Sequence, residues 1–307
     1  MPLIDAIDLF AGAGGFSEGA KLAGLRLLWA ANHWREAVKW HKVNHPAAAH
    51  ACQDLHQANF HEAPRHDVLL AAPACQGHTP ARGKDRPHHD AQRATAWAVV
   101  TCAEVHRPPV CVIENVPAFS KWELYPAWCG AMVALGYALS PHVIDAADHG
   151  VPQHRKRLFI VATRSRHPLV LDLPRAEHVP VSRVIDFERG KWSRIDRRGR
   201  APSTLARVAN GRRAFGDRFV MPYYGSGSGL TGRSLGRPLG TVVTKARWAV
   251  VDGERMRMVL TSEGREVMGF GSDYQLPDDE ALGWHLLGNA VVPLVARDVL
   301  QAIGRAA

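Results

Sequence analysis

The sequence predicts an α/β protein built on a doubly wound, mostly parallel sheet, with a smaller, loop-rich second domain. Short apolar runs alternate with longer amphipathic stretches through the first half of the chain. Such runs are typical of strands buried on both faces, and their alternation with helices indicates a parallel sheet. The charge is also uneven. Of a formal +9 over 307 residues, residues 164–218 supply most, with 14 Arg or Lys against 6 Asp or Glu.

Each element of the larger domain follows from that alternation. Strands are predicted at residues 4–10, 27–31, 68–72, 110–113 and 158–161. Helices are predicted at residues 16–23, 36–43, 91–105 and 294–303. Prolines interrupt the basic segment 164–218 and no long helical period runs through it, so it is predicted to form strands and loops. We expect the larger domain to comprise residues 1–175 and 283–307, and the smaller one residues 176–282.

The composition excludes several classes of protein. Hydrophobic residues make up 46% and charged residues 22%, which is ordinary for a folded globular chain and excludes a disordered or fibrous one. The five cysteines include no C-x-x-C pair, and the first residues show no secretion signal, so we expect a cytoplasmic protein with reduced thiols and no metal site. No apolar run approaches the ~20 residues of a membrane span. The excess of positive charge favours an anionic partner, and we expect a monomer.

A glycine-rich turn follows the first predicted strand. The run FAGAGGF at residues 10–16 opens a helix, and its glycines let the backbone approach a ligand at the carboxyl edge of the sheet. It is not the G-x-G-x-x-G dinucleotide fingerprint, which argues against a nucleotide-dependent dehydrogenase. Asn32 and Asp54 end the next two segments, where they could reach a ribose and a base amino group.

Three further strand ends carry reactive or charged side chains. Cys75 follows the strand at 68–72 in polar, glycine-containing surroundings, as a reachable nucleophilic thiol requires. Glu114 ends the strand at 110–113, where a carboxylate pays a desolvation cost unless it has partners or a chemical role. In the run QHRKR, Arg155 and Arg157 alternate with Lys156 and should point to one face.

Taken together and in order, these segments resemble the DNA cytosine C5 methyltransferase family. The resemblance covers most of the chain outside the basic segment and rests on six motifs: FAGAGGF at 10–16, PACQG at 73–77, ENV at 114–116, QHRKR at 153–157, RPLGT at 237–241 and GNAVVP at 288–293. It implies a Rossmann-like methyltransferase fold, S-adenosylmethionine as methyl donor, double-stranded DNA as partner, and a small target-recognition domain that contains the basic segment.

The resemblance also implies a role for each site residue. The catalytic set comprises Cys75, Glu114, Arg155, Asn115 and Arg157, of which the last two resemble supports of the site. The cofactor set comprises Phe10, Ala11, Gly12, Gly14, Gly15, Asn32, His33, Asp54, Leu55, Pro73, Asn289, Ala290 and Val291. The DNA-binding set comprises Gln76, Arg82, Lys84, Arg194, Arg197, Arg198, Arg237 and Thr241.

The residue types suit the implied reaction. Cytosine C5 is a poor nucleophile until something adds at C6, and a Cys thiolate is a natural attacker. With an unperturbed thiol pKa of ~8.5, the site must favour the thiolate or deprotonate the thiol during attack, and Arg155 is one candidate helper. By resemblance, Glu114 interacts with N3 and the exocyclic amine, while the target nucleotide is flipped out of the duplex.

Two departures from the family pattern and two alternative functions accompany this interpretation. Ala74 stands where the family usually has a second proline, and Asn32 stands where it usually has an acidic ribose ligand.

One alternative function is an RNA cytosine-5 methyltransferase of the same family, which shares the Cys and Glu chemistry. The other is a catalytically silent DNA-binding regulator, against which the presence of Cys75, Glu114 and Arg155 argues.

Overall fold

The computed structural model describes residues 4–74, 88–223 and 231–306, with the side chains of 88–93 left out, and it divides into two compact units. The first unit comprises Met1–Asp145, Lys156–Pro174 and Ala290–Ala307, and the second comprises Ala146–Arg155 and Arg175–Asn289. This division assigns residues 146–155, 175 and 283–289 to the second unit, whereas the predicted boundaries assign them to the larger domain. The functional assignment of the two domains stays a prediction.

A seven-stranded sheet forms the centre of the first unit, in the order β3-β2-β1-β4-β5-β7-β6. Its strands are β1 (Asp5–Leu9), β2 (Arg26–Asn32), β3 (Ala49–Cys52), β4 (Val68–Ala71), β5 (Val110–Asn115), β6 (Ala138–Asp145) and β7 (Lys156–Thr163). β1 to β5 pair in parallel, while β7 runs antiparallel to β5 and β6 on either side of it. The predicted α/β fold with a mostly parallel sheet is confirmed.

Helices of the first unit cover this sheet. They are α1 (Gly15–Leu22), α2 (Arg35–Asn44), α3 (His88–His106), α4 (Tyr125–Ala134) and α8 (Pro293–Ala306). Every predicted strand and helix of the unit is present, with ends that differ by at most three residues. Burial explains the agreement, because strands such as VLLA in β4 and VCVI in β5 are inaccessible to solvent almost throughout.

The second unit contains a four-stranded antiparallel sheet in the order β8-β11-β10-β9. Its elements are β8 (Ser193–Arg194), α5 (Pro202–Phe215), β9 (Arg218–Pro222), β10 (Trp248–Asp252), β11 (Arg255–Met258), α6 (Thr261–Val267) and α7 (Glu280–Asn289). Phe219, Met221 and Val251 form its apolar core with Val208 from α5. A buried ion pair joins Arg257 to Glu263 through two contacts of 2.6 and 2.8 Å.

Helix α5 corrects the prediction that residues 164–218 form only strands and loops. Pro202 lies in the first turn of α5, where its missing N–H costs nothing, so this proline begins a helix instead of breaking one. The buried face of α5 also includes Arg207 and Gly211, which carry no hydrophobic periodicity. An ideal Cβ on Gly211 would lie 2.3 Å from the Phe219 ring, so this position requires glycine for packing.

One helical stretch, Glu280–Ala306, reaches the length and hydropathy of a membrane span. It comprises α7 and α8, and 72% of its tested window is buried inside the protein. Burial of that kind is typical of core helices.

Close backbone approach attaches α8 to α1. An ideal Cβ on Gly15 would lie 1.9 Å from the carbonyl oxygen of Val291, and one on Gly19 would lie 2.4 Å from the Cβ of Ala296. These two glycines, one helical turn apart, therefore form the face of α1 that receives the C-terminal segment. Gly15, predicted as a cofactor residue, has a packing role in the structure.

We predict that Gly15→Ala lowers the free energy of unfolding by roughly 1–3 kcal/mol or more, because the added methyl overlaps backbone atoms that cannot move aside cheaply. The matched control is Gly130→Ala in α4, where an added Cβ meets nothing within 4 Å and higher helix propensity should stabilise by up to about 1 kcal/mol. Urea unfolding measures both variants. Equal effects would show that the α1–α8 contact tolerates a side chain.

Candidate active site

The glycine-rich turn lies at the carboxyl edge of the first unit's sheet, between β1 and α1. Phe10 has a φ of 59°, Gly12 of 55° and Gly14 of 84°, all in the left-handed region. For a bulky residue such as Phe10 this conformation costs roughly 1–3 kcal/mol and is found mainly at functional sites. Hydrogen bonds from Ala11 N to Ala31 O (3.1 Å) and from Gly14 N to Ala11 O (2.8 Å) hold the turn against β2.

Asn32 ends β2 at the same edge. Its Oδ1 accepts a hydrogen bond from Trp34 N (2.9 Å) at the start of α2, which leaves the amide NH₂ as its remaining donor group. Asn32 is 8% exposed, so its amide is held at the edge with little freedom. Trp34 itself was missed by the sequence interpretation, and its position beside Asn32 is the signal that could have suggested it.

Asp54 follows β3, close to the end of β2. Its Oδ1 accepts from His56 N (3.0 Å) and contacts His56 Nδ1 (2.9 Å), and the backbone hydrogen bond is the main reason that its pKa is lowered. The carboxylate is therefore ionised at neutral pH, and it is more than half exposed. Gln53 N donates to Asn32 O (3.1 Å), which joins the two strand ends.

The remaining predicted cofactor residues differ in their accessibility. His33 is exposed directly after β2, whereas the side chain of Leu55 is buried in the core of the first unit. Ala290 and Val291 are buried, and Val291 contacts the start of α1 as described above. Asn289 falls in the second unit.

A buried chain of polar side chains lies behind the glycine-rich turn and was not predicted. Ser17 Oγ donates to Asp8 Oδ2 (2.7 Å) and contacts His41 Nε2 (2.9 Å), and His41 Nδ1 contacts His50 Nε2 (2.8 Å). Because the serine proton is directed at Asp8, His41 Nε2 must donate to Ser17, which fixes the neutral tautomer of His41. Burial lowers the pKa of His41 well below its usual value, in agreement with a neutral ring.

Asp8 is the unusual member of this chain. It is completely buried in β1, and that burial raises its carboxyl pKa to about 7. The hydrogen bond from Ser17 opposes the shift only in part. A polar residue inside an otherwise apolar strand was the available sequence signal. Among the residues that the structure describes, no group of three or more His, Cys, Asp or Glu side chains is arranged to hold a metal ion.

Glu114 lies near the carboxyl end of β5 and is 8% exposed. Arg157 Nε, at the beginning of β7, lies 3.1 Å from its Oε1. Since β7 is antiparallel to β5, the beginning of one strand meets the end of the other, and the guanidinium compensates the desolvation of the carboxylate. The structure thus brings together two of the five predicted catalytic residues in one ion pair.

Asn115 connects this ion pair to the segment that leads into Cys75. Its Nδ2 donates to Pro73 O (3.1 Å), and its Oδ1 accepts from Val116 N (2.8 Å). Ala74 N donates to Thr95 Oγ1 (3.0 Å) on α3. The bond from Asn115 therefore joins the end of β5 to the segment before Cys75, and the bond from Ala74 joins that segment to α3. Cys75 itself, with Gln76, Arg82 and Lys84, lies outside the described residues.

Arg155 belongs to the second unit and is buried there. Its Nη1 donates to Val242 O (2.8 Å) and its Nη2 to Gly288 O (2.9 Å). The neighbouring Gln153 is also buried, accepts from Val242 N and donates to Val267 O (3.2 Å). These contacts bring Arg155 and Gln153 together with Val242, the residue after the RPLGT motif, and with Gly288, although these residues lie far apart in sequence.

The predicted DNA-binding arginines have different environments. Arg194 forms a bidentate ion pair with Asp196 (2.9 and 2.8 Å), which offsets its charge. Arg197 and Arg198 are exposed, and neither forms an ion pair with any carboxylate that the structure describes. Arg237 is exposed as well, while Thr241 Oγ1 donates to His154 O (2.8 Å).

The family comparison agrees with this geometry. The model of the C-5 cytosine-specific DNA methylase family matches residues 4–199, which is more than half of the chain. The chain belongs to this family. The predicted resemblance is confirmed, and with it membership of a methyltransferase enzyme family whose members generally depend on S-adenosylmethionine.

Curated relatives of this chain include three Type II methyltransferases. M.AgeI of Thalassovita gelatinovora is 33% identical over 56% of this chain and 42% of its own length, and M.HgiDI of Herpetosiphon aurantiacus is 30% identical over 54% of each chain. M.HhaI of Haemophilus parahaemolyticus is 24% identical over 97% of this chain and 93% of its own. The chain thus spans about half the length of the first two relatives, but nearly all of the third.

Solved structures show the same fold. DNMT2 of Spodoptera frugiperda superposes with a TM-score of 0.75 at 16% identity, covering 98% of this chain and 99% of its own. The methyltransferase EhMeth of Entamoeba histolytica superposes with a TM-score of 0.71 at 15% identity, covering 99% of both.

We predict that Asp8→Asn stabilises the protein more at pH 8 than at pH 4. The unfolded carboxyl ionises near its usual pKa of 3.8, while the folded one stays protonated until about pH 7. Asp8 therefore lowers the free energy of unfolding increasingly as the pH rises from 3.8 to about 7. Above about pH 7 this cost reaches its full value of about 4 kcal/mol.

Urea unfolding of both proteins across that pH range measures the difference. Asp172→Asn, which changes an exposed carboxyl of the same unit, should show a difference that does not vary with pH. A pH-independent effect of Asp8→Asn would contradict the raised pKa of Asp8.

Proposed function

We propose that this chain is a DNA (cytosine-5)-methyltransferase that transfers a methyl group from S-adenosylmethionine to C5 of a cytosine flipped out of duplex DNA. One observation carries the proposal. Glu114 and Arg157 form a shielded ion pair at the sheet edge, and Asn115 ties that pair to the segment that ends at Cys75.

The side chains of this edge suit cytosine chemistry. A carboxyl group that faces N3 and the exocyclic amine can hold a proton at N3 while the Cys75 thiolate adds to C6. Arg157 positions Glu114 through the 3.1 Å ion pair. Asn115 acts through the backbone, by fixing Pro73. Loss of the C5 proton and departure of Cys75 would then restore the aromatic ring.

Three of the other four thiols are poorer candidates for the nucleophile. Cys102 and Cys111 are completely buried in the core, and burial raises the pKa of both, to about 12 for Cys111. Burial also raises the pKa of Cys129. A thiol must be both accessible and ionisable to attack a base, and these environments favour the protonated form.

The carboxyl edge also fits the cofactor. At Gly12 and Gly14 the backbone turns without a side chain that would keep a ligand at a distance. The Asn32 amide can donate a hydrogen bond to a ribose hydroxyl, and the ionised Asp54 carboxylate can accept one from an amino group. When bound there, S-adenosylmethionine supplies an electrophilic methyl group on a sulfonium. His33, Pro73, Ala290 and Val291 would complete the surroundings.

Duplex DNA is the proposed substrate because the curated relatives are Type II methyltransferases and the second unit carries the excess of arginine. The target base must leave the stack to reach Cys75, at a cost of a few kcal/mol. Contacts to phosphates can offset that cost and are independent of base sequence.

We predict that Cys75→Ser abolishes methyl transfer and that Glu114→Gln reduces it by about 10²–10⁴-fold, while both variants bind duplex DNA. The assay follows labelled methyl from S-adenosylmethionine into genomic DNA and, in parallel, into total RNA, with nucleoside analysis. Cys129→Ser serves as the control and should keep the wild-type rate.

Each outcome distinguishes the hypotheses. Label in 5-methylcytosine of DNA supports the proposal, and label only in RNA favours the RNA-directed alternative. Label in neither, with DNA and cofactor still bound, favours the silent regulator. Failure of Cys75→Ser to fold would indicate a structural cysteine.

We predict further that replacing Arg197 and Arg198 together by Ala weakens duplex binding and lowers its salt dependence by about one unit of slope per lost phosphate contact. Arg194→Ala should have a smaller effect, because Asp196 already offsets its charge. Titrations at several salt concentrations measure the slopes. An unchanged slope in the double variant would remove this segment from the interface.

A further inference from the structure

The second unit contains a basic cleft that is lined in part by residues of the QHRKR and RPLGT motifs and in part by residues outside any motif. Its volume is about 620 Å³, and it is lined by His154, Phe215, Gly232, Arg233, Ser234, Arg237 and Pro238. We infer that this cleft binds one phosphodiester group of the nucleic acid, with Arg233 as a main ligand. The inference rests on the proposed function only in naming DNA as the polymer.

Backbone contacts build the cleft from three separate segments. Arg233 pairs with Val220 of β9 through two hydrogen bonds, from Arg233 N to Val220 O (2.6 Å) and from Val220 N to Arg233 O (3.1 Å). Leu239 bonds to the segment that holds His154, through contacts of 2.9 Å to Pro152 O and 2.8 Å from His154 N. The arginines therefore project from a fixed frame.

The Arg233 guanidinium is oriented without being neutralised. It lies over the Trp248 ring, 5.0 Å from the centroid, and this cation–π contact holds the group while leaving its charge in place. Neither Arg233 nor Arg237 forms an ion pair with a carboxylate in the part of the chain that the structure describes. Asp148 pairs with His178 (2.9 Å), and the ring of His178 lies edge-on to that of His154, with their centroids 5.3 Å apart.

The lining selects a phosphodiester over other anions. Two planar guanidiniums and the Ser234 hydroxyl offer several donors, which match an anion with several acceptor oxygens. Ser234 Oγ already accepts from Gly236 N (3.0 Å), so its own proton is directed elsewhere. Phe215, 39% exposed, adds an apolar wall that suits the carbon atoms of an adjoining sugar. A free inorganic phosphate has no group for that wall.

The test measures the affinity of wild type, Arg233→Ala, Arg233→Lys and Arg26→Ala for a mixed-sequence duplex. Fluorescence anisotropy gives the affinity at several salt concentrations from about 50 to about 200 mM. Arg233→Ala should bind about eightfold more weakly near 0.1 M salt, with a salt slope lower by about 0.9. Arg233→Lys keeps the charge and should keep the slope. Arg26 lies at the amino end of β2, so its loss should leave binding unchanged.

A second variant keeps the inference testable if Arg233→Ala fails to fold. Phe215→Ala should weaken binding without changing the slope, and Arg237→Ala should lower the slope as Arg233→Ala does. Inorganic phosphate at matched ionic strength should compete no better than chloride.

Three results would overturn the inference. The first is a wild-type salt slope for both Arg233→Ala and Arg237→Ala, and the second is an Arg233→Ala effect confined to one base sequence. The third is competition by inorganic phosphate that exceeds competition by chloride at the same ionic strength. Binding is measured without methyl transfer, so the two proposals can fail separately. A chain that transfers no methyl group but shows the Arg233 slope contradicts the proposed function alone.

Discussion

The antiparallel direction of β7 is the constraint on which the arrangement at the sheet edge depends. In the register observed, Asn115 faces Leu158 and Glu114 faces Phe159, so the first residues of β7 lie beside the last residues of β5. A parallel β7 would begin at the opposite edge, and Arg157 would be far from Glu114. A carboxylate with 8% exposure is costly without a cation, so strand direction and ion pair require each other.

Buried polar side chains form hydrogen bonds or ion pairs in the core of each unit. In the first unit, Asp8, Ser17 and His41 form a continuous hydrogen-bonded chain behind the glycine-rich turn. In the second unit, Arg257 and Glu263 form an ion pair in which their side chains are only 1% and 4% exposed. Breaking such groups leaves an uncompensated polar atom in the core, which costs more than a lost surface contact. The turn that carries Phe10 in a left-handed conformation is therefore supported by a rigid surrounding.

The sequence predicted the parts of the fold that local patterns encode. Buried strands appear as apolar runs, and the motifs at strand ends indicated Glu114, Asn115 and Arg157. Helix α5 was missed because its buried face uses Arg207 and Gly211, which no hydrophobic period marks. Contacts between distant residues were equally inaccessible: nothing local links Asp8 to His41, or places Arg233 over Trp248.

Glycines explain how the two ends of the sequence form one edge. Gly15 and Gly19 let α1 accept the backbone of Val291 and the side chain of Ala296, so the C-terminal segment packs where a side chain on α1 would have excluded it. Gly12 and Gly14, a few residues earlier, instead supply backbone conformations that turn the chain from β1 into α1. Adjacent glycines of one motif thus serve different physical requirements. The motif thus links the conformation of the turn to packing of the C-terminal segment, so a substitution at Gly15 should disturb the turn through Val291.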